Sequence, residues 1–337
     1  MTGRTWTVAV IGGAGYVGSV LVPKLLDAGH RVSVLDLYIY GEESLAAARG
    51  RSGGRPGLRE TKGDVRDASA VAAALDGCDA VVHLACISND PSFELDPALG
   101  RSINLDSFPP LVGMAKKAGV RRFIYASSSS VYGVKEGIEV TEDLPLEPLT
   151  DYSRFKAACE DILAGERGPG FATCVVRPAT VCGYSPRQRL DVIVNILTNH
   201  AVHTGKVRVM GGDQLRPNIH IEDMCRVYLT ALDLPDGKVD GVCVNAGYEN
   251  RSVLQLAELV RGVVGPHVEM EIAPTDDPRS YHVSSEKIRR AWGFVPSHTI
   301  EDAVRDLVAA FAAGKLPDAM TDPMYYNIRR MRELNLR

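Results

Sequence analysis

A parallel, doubly wound α/β sheet followed by a smaller C-terminal α/β lobe is the fold class that the sequence predicts, on three observations. Short β-branched runs alternate with longer helical stretches through the first half of the chain. Those runs are apolar almost throughout, as strands covered on both faces must be. After Arg177-Pro178 the character changes, and turns such as Gly183-Tyr184-Ser185-Pro186 and Gly211-Gly212-Asp213 become frequent. Strand–helix alternation of this kind sets a parallel sheet between two helical layers.

The elements follow in order. Residues 7–11 (TVAVI) read as the first strand, and a helix runs from about Val17 to Ala28 and stops at Gly29. Residues 31–36 form the second strand. The Gly/Arg/Ser-rich stretch between Gly41 and Gly63, with RGRSGGRPG inside it, reads as a surface loop. The Ala-rich helix 68–75 leads into a strand at 80–84. Further strands fall at 122–126 and 172–176, and the run 241–245 returns to the sheet. There is no internal repeat.

Composition narrows the function classes. The chain has 337 residues, 45% hydrophobic and 24% charged, which suits a globular protein of about two domains. A net charge of −4 argues against a nucleic-acid binder, which usually carries a basic face. No apolar run approaches the ~18–20 residues of a membrane span. The N-terminal residues enter the first strand with no basic and apolar leader, so a secretory signal is not expected. Seven cysteines, odd in number and with no CxxC pair, suit free thiols in a reducing compartment, so the expected location is cytoplasmic. His200 and His203 can share a helix face but have no acidic or Cys ligand beside them, so no metal is expected.

Gly12, Gly15 and Gly18 form GxxGxxG between the first strand and the first helix. Among 32 glycines this spacing arises by chance about 0.3 times, so its placement matters more than the pattern. A turn there brings the backbone close to a pyrophosphate at a helix N-terminus, where amide donors and the dipole favour anions. Asp36 closes the second strand, where a carboxylate can accept from adenosine ribose hydroxyls and repels a 2′-phosphate. NAD is therefore expected over NADP. Asp64, in GDVRD, has an exposed loop carboxylate as its bland reading.

Tyr152 and Lys156 are four apart in a helical stretch, which stacks them on one face. This is the one YxxxK in the chain. Upstream, Ala126-Ser127-Ser128-Ser129-Ser130 follows a strand directly, at the edge where a parallel sheet presents ligand-binding residues. An ammonium near a phenol favours phenolate, and a Ser hydroxyl can hold the same substrate oxygen. Together these suit removal of a proton from a sugar hydroxyl as hydride leaves its carbon.

With these motifs in this order, the sequence resembles the extended short-chain dehydrogenase/reductase family, in its NAD-dependent epimerase/dehydratase branch acting on nucleotide sugars. The resemblance is carried by GGAGYVG at 12–18, GDVRD at 63–67, HLA at 83–85, Asn104, YASSSSVYG at 125–133, YSRFK at 152–156, RPATVCG at 177–183 and RPNIHIEDM at 216–224, with 245–260 and 277–296 in support. It implies a Rossmann-type sheet. It also implies a NAD-binding domain of residues 1–177 plus about 218–247, and a nucleotide-sugar-binding domain of residues 178–217 plus 248–337. By position, Tyr152 would be the acid/base, Ser128 its partner, and Lys156 would bind the nicotinamide ribose. Gly12, Gly15, Tyr16, Val17, Gly18, Asp36, Asp64, Val65, Leu84, Ala85, Asn104 and Pro178 would complete the cofactor site. Ser88, Ser128, Ser129, Thr180, Arg216 and Arg279 would face the nucleotide sugar, the two arginines on its diphosphate.

One departure bears on the reaction. Dehydratases of this family carry Asp-Glu after the catalytic Ser/Thr, and here those places are Ser129 and Ser130. The expectation is therefore a nucleotide-sugar epimerase, most simply at C4. A nucleotide-sugar 4-ketoreductase or dehydrogenase is the alternative, with a 4,6-dehydratase or a non-catalytic dinucleotide sensor behind it. The resemblance also implies a homodimer, with Leu111, Met114, Ala115, Ala158 and Ile162 supplying either its apolar face or core packing.

Overall fold

The computed structural model describes residues 4–51, 57–88, 90–135, 137–275 and 280–335. Its centre is a seven-stranded sheet whose order, from one edge, is Val242–Ala246, Ala172–Pro178, Arg122–Ala126, Ala80–His83, Thr7–Ile11, Arg31–Asp36 and Leu58–Lys62. Every pairing within it is parallel. Successive side chains of one strand leave by opposite faces. Val8 and Val10 accordingly join a core with Leu21, Leu25, Met224 and Tyr228, whereas Ala9 and Ile11 join another with Leu75, Phe108, Leu111 and Leu163. Helices Gly18–Asp27 and Ile221–Asp233 cover the first face, and Ala68–Leu75, Phe108–Lys117 and Asp151–Glu166 cover the second. The doubly wound sheet expected from the apolar runs is thus present.

Much of the described part of the stretch after Gly41 is not a loop, and residues 52–56, within RGRSGGRPG, lie outside the described residues. The stretch contains a 3-10 turn at Glu42–Leu45, a helix at Ala46–Arg51 and the edge strand Leu58–Lys62, paired with Arg31–Asp36. This strand is only half-buried and carries Arg59, Glu60 and Lys62. Charged residues guard an exposed edge at the cost of the apolar signal that marks a strand.

Much of the rest of the chain builds a further core, although Ile219, Ile288 and Trp292 pack on the first face of the large sheet. Thr180–Cys182 runs parallel to Leu215–His220, which pairs antiparallel with Glu249–Ser252. Lys206–Met210 lies parallel to Glu269–Ala273. Helices Ile193–Thr204, Val253–Val264 and Ile300–Ala312 bury Val194, Leu197, Leu256, Val260, Ile300 and Val304 together. Among the described residues no helix is long and apolar enough to cross a membrane. All seven cysteines are free.

Of the residues expected either at a dimer face or in core packing, two take the second place. Leu111 and Ala115 are buried in the core beneath the sheet's own helical layer, together with Phe123 and Tyr125 of the strand below. Met114 and Ile162 are half-buried at the margin of the same core, and Ala158 is half-buried beside them.

His83, at the end of its strand, carries a pH dependence. It is buried and stacks on both Phe108 and Tyr125, with centroids 5.5 Å and 5.8 Å away. Burial, helped by the Lys156 ammonium, pushes its imidazole down to about 3. Unfolded, it titrates near ~6.5. Between those values the unfolded chain binds a proton that the folded chain refuses. Stability should therefore fall as pH drops below ~6.5, by at most ~1.4 kcal/mol per pH unit from this residue. Denaturant midpoints from about pH 7.5 to about pH 5 check this, and His83→Phe should flatten the slope by about one proton.

Candidate active site

The first strand ends at Ile11, and the turn after it is pinned from both sides. Gly12 donates its N–H to the Leu35 carbonyl at 2.8 Å, while Leu84 and Ala85 donate to the Ile11 carbonyl at 2.7 and 2.8 Å. Gly12 has φ +87°, and a Cβ there would lie 2.5 Å from the Ala85 nitrogen. A Cβ on Gly18 would lie 2.5 Å from the Gly12 and Gly13 carbonyl oxygens. Both obstacles are backbone and cannot swing away. Gly12→Ala is expected to cost on the order of 1–3 kcal/mol from its conformation alone, and to strip the chain of dinucleotide. Absorbance at 260 nm after gel filtration measures the loss.

Asp36 is tied into the same turn. Its Oδ2 accepts from the Ala14 N–H at 2.9 Å and its Oδ1 from the Tyr38 N–H at 2.8 Å. Burial raises its carboxyl above the usual range. Each carboxylate oxygen keeps a second lone pair for a hydroxyl donor.

The helix Asp151–Glu166 begins with a capping box between Thr150 and Ser153. That cap fixes its first turn and so the direction of Tyr152. Lys156 is buried, donates to the Ala126 carbonyl at 2.7 Å, and holds its ammonium 4.9 Å from the Tyr125 ring and 5.9 Å from the Tyr152 ring. Ala126 ends the strand that delivers the serines. Ser127 donates to the buried Glu160 carboxylate, one turn beyond Lys156 on the same helix. Ser128 Oγ lies 2.9 Å from Ser130 Oγ and accepts from the Ser130 N–H at 3.1 Å.

These parts share one cleft of about 400 Å³. Gly12, Gly15, Tyr16, Val17, Gly18, Asp36, Val65, Leu84, Ala85, Ser88, Ser128, Ser129, Tyr152, Lys156, Pro178 and Thr180 all line it. The Tyr16 hydroxyl is already engaged, donating to the Gly183 carbonyl at 2.7 Å.

Three described residues among those assigned stand apart. Asp64 is not among the lining residues, and its carboxylate is held by Arg66 at 2.7 Å. Asn104 lies behind the wall, where its side-chain amide takes both polar groups of Ile87 at 2.8 and 2.9 Å. It shapes the loop after His83 without facing the cleft. Arg216 is also outside the lining and donates to the Leu215 carbonyl at 3.1 Å. Arg279 lies outside the described residues.

Sequence reasoning missed several lining residues, among them Tyr40, Arg187, Arg189, Tyr281, Asn327 and Met331. Asn327 opens the last helix, Asn327–Leu334, and returns to the cleft from the far end of the chain. Its amide donates to Ser88 Oγ at 2.9 Å and its oxygen accepts from Tyr40 at 3.0 Å and Arg187 at 2.5 Å. Arg187 and Arg189 flank a glutamine after Pro186, and that pair of cations was the one signal available.

Asp36 is the one carboxylate among the described lining residues. Among the described residues no group of His, Cys, Asp or Glu is arranged to hold a metal. The residues present fit a dinucleotide: a cradle that a Cβ would fill, a tethered carboxylate at the second strand's end, and a buried ammonium beside a tyrosine.

The comparisons with known proteins agree with this geometry. The model of the NAD dependent epimerase/dehydratase family matches residues 8–247. The UDP-glucose 4-epimerase of Lactobacillus helveticus is 29% identical over 319 residues, covering 88% of this chain and 94% of its own. The dTDP-glucose 4,6-dehydratase of Streptomyces griseus is 30% identical over 314 residues, covering 90% and 94%. Among solved structures, the UDP-glucose 4-epimerase of Thermotoga maritima has a TM-score of 0.81 at 25% identity over 91% of this chain and 99% of its own. The dTDP-glucose 4,6-dehydratase of Streptomyces venezuelae has a TM-score of 0.82 at 24% identity, covering 94% and 99%, and shares the fold.

Proposed function

The chain belongs to the NAD-dependent epimerase/dehydratase family, and from that premise we propose that it is a nucleotide-sugar epimerase acting at C4 through a keto intermediate. The observation that carries this choice is the cleft's acid–base inventory. Tyr152, Lys156 and the serines line it, and Asp36 is the one carboxylate among the described lining residues. Elimination of water across C5–C6 needs an acid and a base placed at those carbons. Ser129 and Ser130 stand where a dehydratase would supply them, and a hydroxyl is a poor substitute at neutral pH.

NAD supplies a hydride acceptor that is also the donor for the return step. Tyr152 takes the proton of the sugar hydroxyl and later gives it back. Lys156, fixed on the Ala126 carbonyl, keeps a positive charge beside that phenol, which favours its ionised form. Ser128 holds the reacting oxygen. Asp36 takes the adenosine ribose, and Asp64 and Val65 hold the adenine edge. Ser88, Ser129 and Thr180 contact the sugar, and Arg216 and Arg279 its diphosphate. This assignment uses a NAD-binding domain of residues 1–177 plus about 218–247 and a sugar-nucleotide domain from the rest. The helices carrying Met114, Ala158 and Ile162 pair two copies into a homodimer.

The test is an NMR screen of UDP-, GDP-, CDP- and dTDP-sugars with the purified chain and no added cofactor. Inversion at one sugar carbon supports the proposal. Net reduction of a keto sugar, dependent on added NADH or NADPH, overturns it in favour of a ketoreductase.

A further inference from the structure

We propose that Arg187 is a phosphate receptor for the bound dinucleotide, extending the anion-binding wall that begins at the glycine turn. Arg187 is 4% exposed and lines the cleft. Its guanidinium lies 3.4 Å from the centre of the Tyr40 ring and donates to the Asn327 side-chain oxygen at 2.5 Å. Its Nε has no hydrogen-bond partner among the described residues. Nor does a described carboxylate come within ion-pair distance. Asp191 is taken by Arg189 at 2.6 Å and by the Asn327 N–H at 2.9 Å. Asp36 is engaged by the amides of Ala14 and Tyr38.

A buried cation with no carboxylate at ion-pair distance is costly, and the cost falls when an anion completes it. Burial above all, with the neighbouring Arg189, holds the Arg187 guanidinium below its ordinary value, although Tyr40 and Asp191 act the other way; that is the direction expected of a charge that is only partly compensated. A planar fork with a donor to spare matches two oxygens of one phosphate.

The choice of phosphate follows from position. The Arg187 N–H donates to Ser19 Oγ at 3.3 Å, on the helix that begins at the glycine turn. Tyr40, under the guanidinium, follows Asp36 by four residues, and the Arg187 charge acts on the Asp36 carboxyl. Arg187 thus stands between the ribose-binding carboxylate and the first helix N-terminus, where the dinucleotide's diphosphate runs. Arg189 is turned toward Ser88 and acts on Tyr152, at the other end of the cleft.

This inference rests on the family's use of NAD and not on the choice of reaction. Its test is calorimetric binding to the full chain stripped of endogenous dinucleotide, with NAD+, ADP, adenosine and UDP as probes. For Arg187→Gln, affinity for NAD+ and ADP should fall about tenfold to a hundredfold, while adenosine and UDP stay within about twofold. Arg187→Lys, which keeps the charge but not the fork, should fall between. If Arg187→Gln does not fold, Arg187→Lys carries the same comparison of ADP with adenosine. Unchanged ADP binding overturns the proposal. So does an equal loss for adenosine, which marks a packing role, and so does a loss confined to UDP.

Discussion

Tyr152→Phe should lower kcat by between ~10² and ~10⁴-fold while leaving NAD binding within about twofold of wild type. The substitution removes one hydroxyl and keeps the ring. Tyr152 packs at the margin of a cluster of Ile87, Phe93, Leu99, Ile103 and Met331, and Phe fills the same space. The buried Lys156 ammonium keeps its bond to the Ala126 carbonyl, so the other half of the pair survives. What is lost is the group that carries the proton in both directions, and Asp36, the one carboxylate among the described lining residues, is tied into the glycine turn instead. Water is a weak substitute, because it has neither the fixed position nor the neighbouring ammonium. Turnover of the sugar nucleotide found by the NMR screen, measured beside NAD+ calorimetry, separates the two effects. Activity within a few-fold of wild type would remove Tyr152 from the chemistry. Loss of NAD binding would make it a cofactor anchor instead.

The parts of this site legible in the sequence are those that lie close together along the chain. GxxGxxG after an apolar strand locates the turn, since only that context gives the glycines a reason to be bare. Tyr152 and Lys156 are one helical turn apart, so their shared face follows from spacing alone. The strands are legible for the same local reason, their apolar runs being long enough to stand out. The edge strand Leu58–Lys62 was illegible because its partner covers one edge and solvent reaches the other, so charged residues are tolerated. Asn327 and Arg187 were illegible for a different reason. They meet through the return of the last helix across the cleft, 140 residues apart, and neither has a local pattern that foretells the contact. Asp64 shows a further limit of local reading. Its neighbours Gly63 and Val65 do line the cleft, but two residues on stands Arg66, which takes the carboxylate.

The largest loss of stability should come from Glu160→Leu. Glu160 and Arg177 form an ion pair at 2.5 Å with side chains only 8% and 7% exposed. Arg177 also donates to the Tyr132 hydroxyl at 2.7 Å, which donates to the Asn245 oxygen at 2.7 Å. Leucine has nearly the right volume but leaves Arg177 charged and without its acid in the interior. Removal of one partner from such a pair costs about 3–5 kcal/mol. The double variant Glu160→Leu/Arg177→Met removes both charges and should regain most of that, because the isolated charge and not the lost attraction is the main penalty. Catalysis separates a second role. Ser127, which precedes Ser128, donates to Glu160, so that carboxylate holds the serine turn against the helix carrying Tyr152 and Lys156. The double variant should therefore recover its unfolding midpoint but keep a lowered kcat, with KM little changed. Denaturant unfolding and steady-state kinetics on the two variants decide the matter. Equal stability of Glu160→Leu and wild type would show that Arg177 finds another partner. Full recovery of kcat in the double variant would show that the serine turn holds its shape without Glu160.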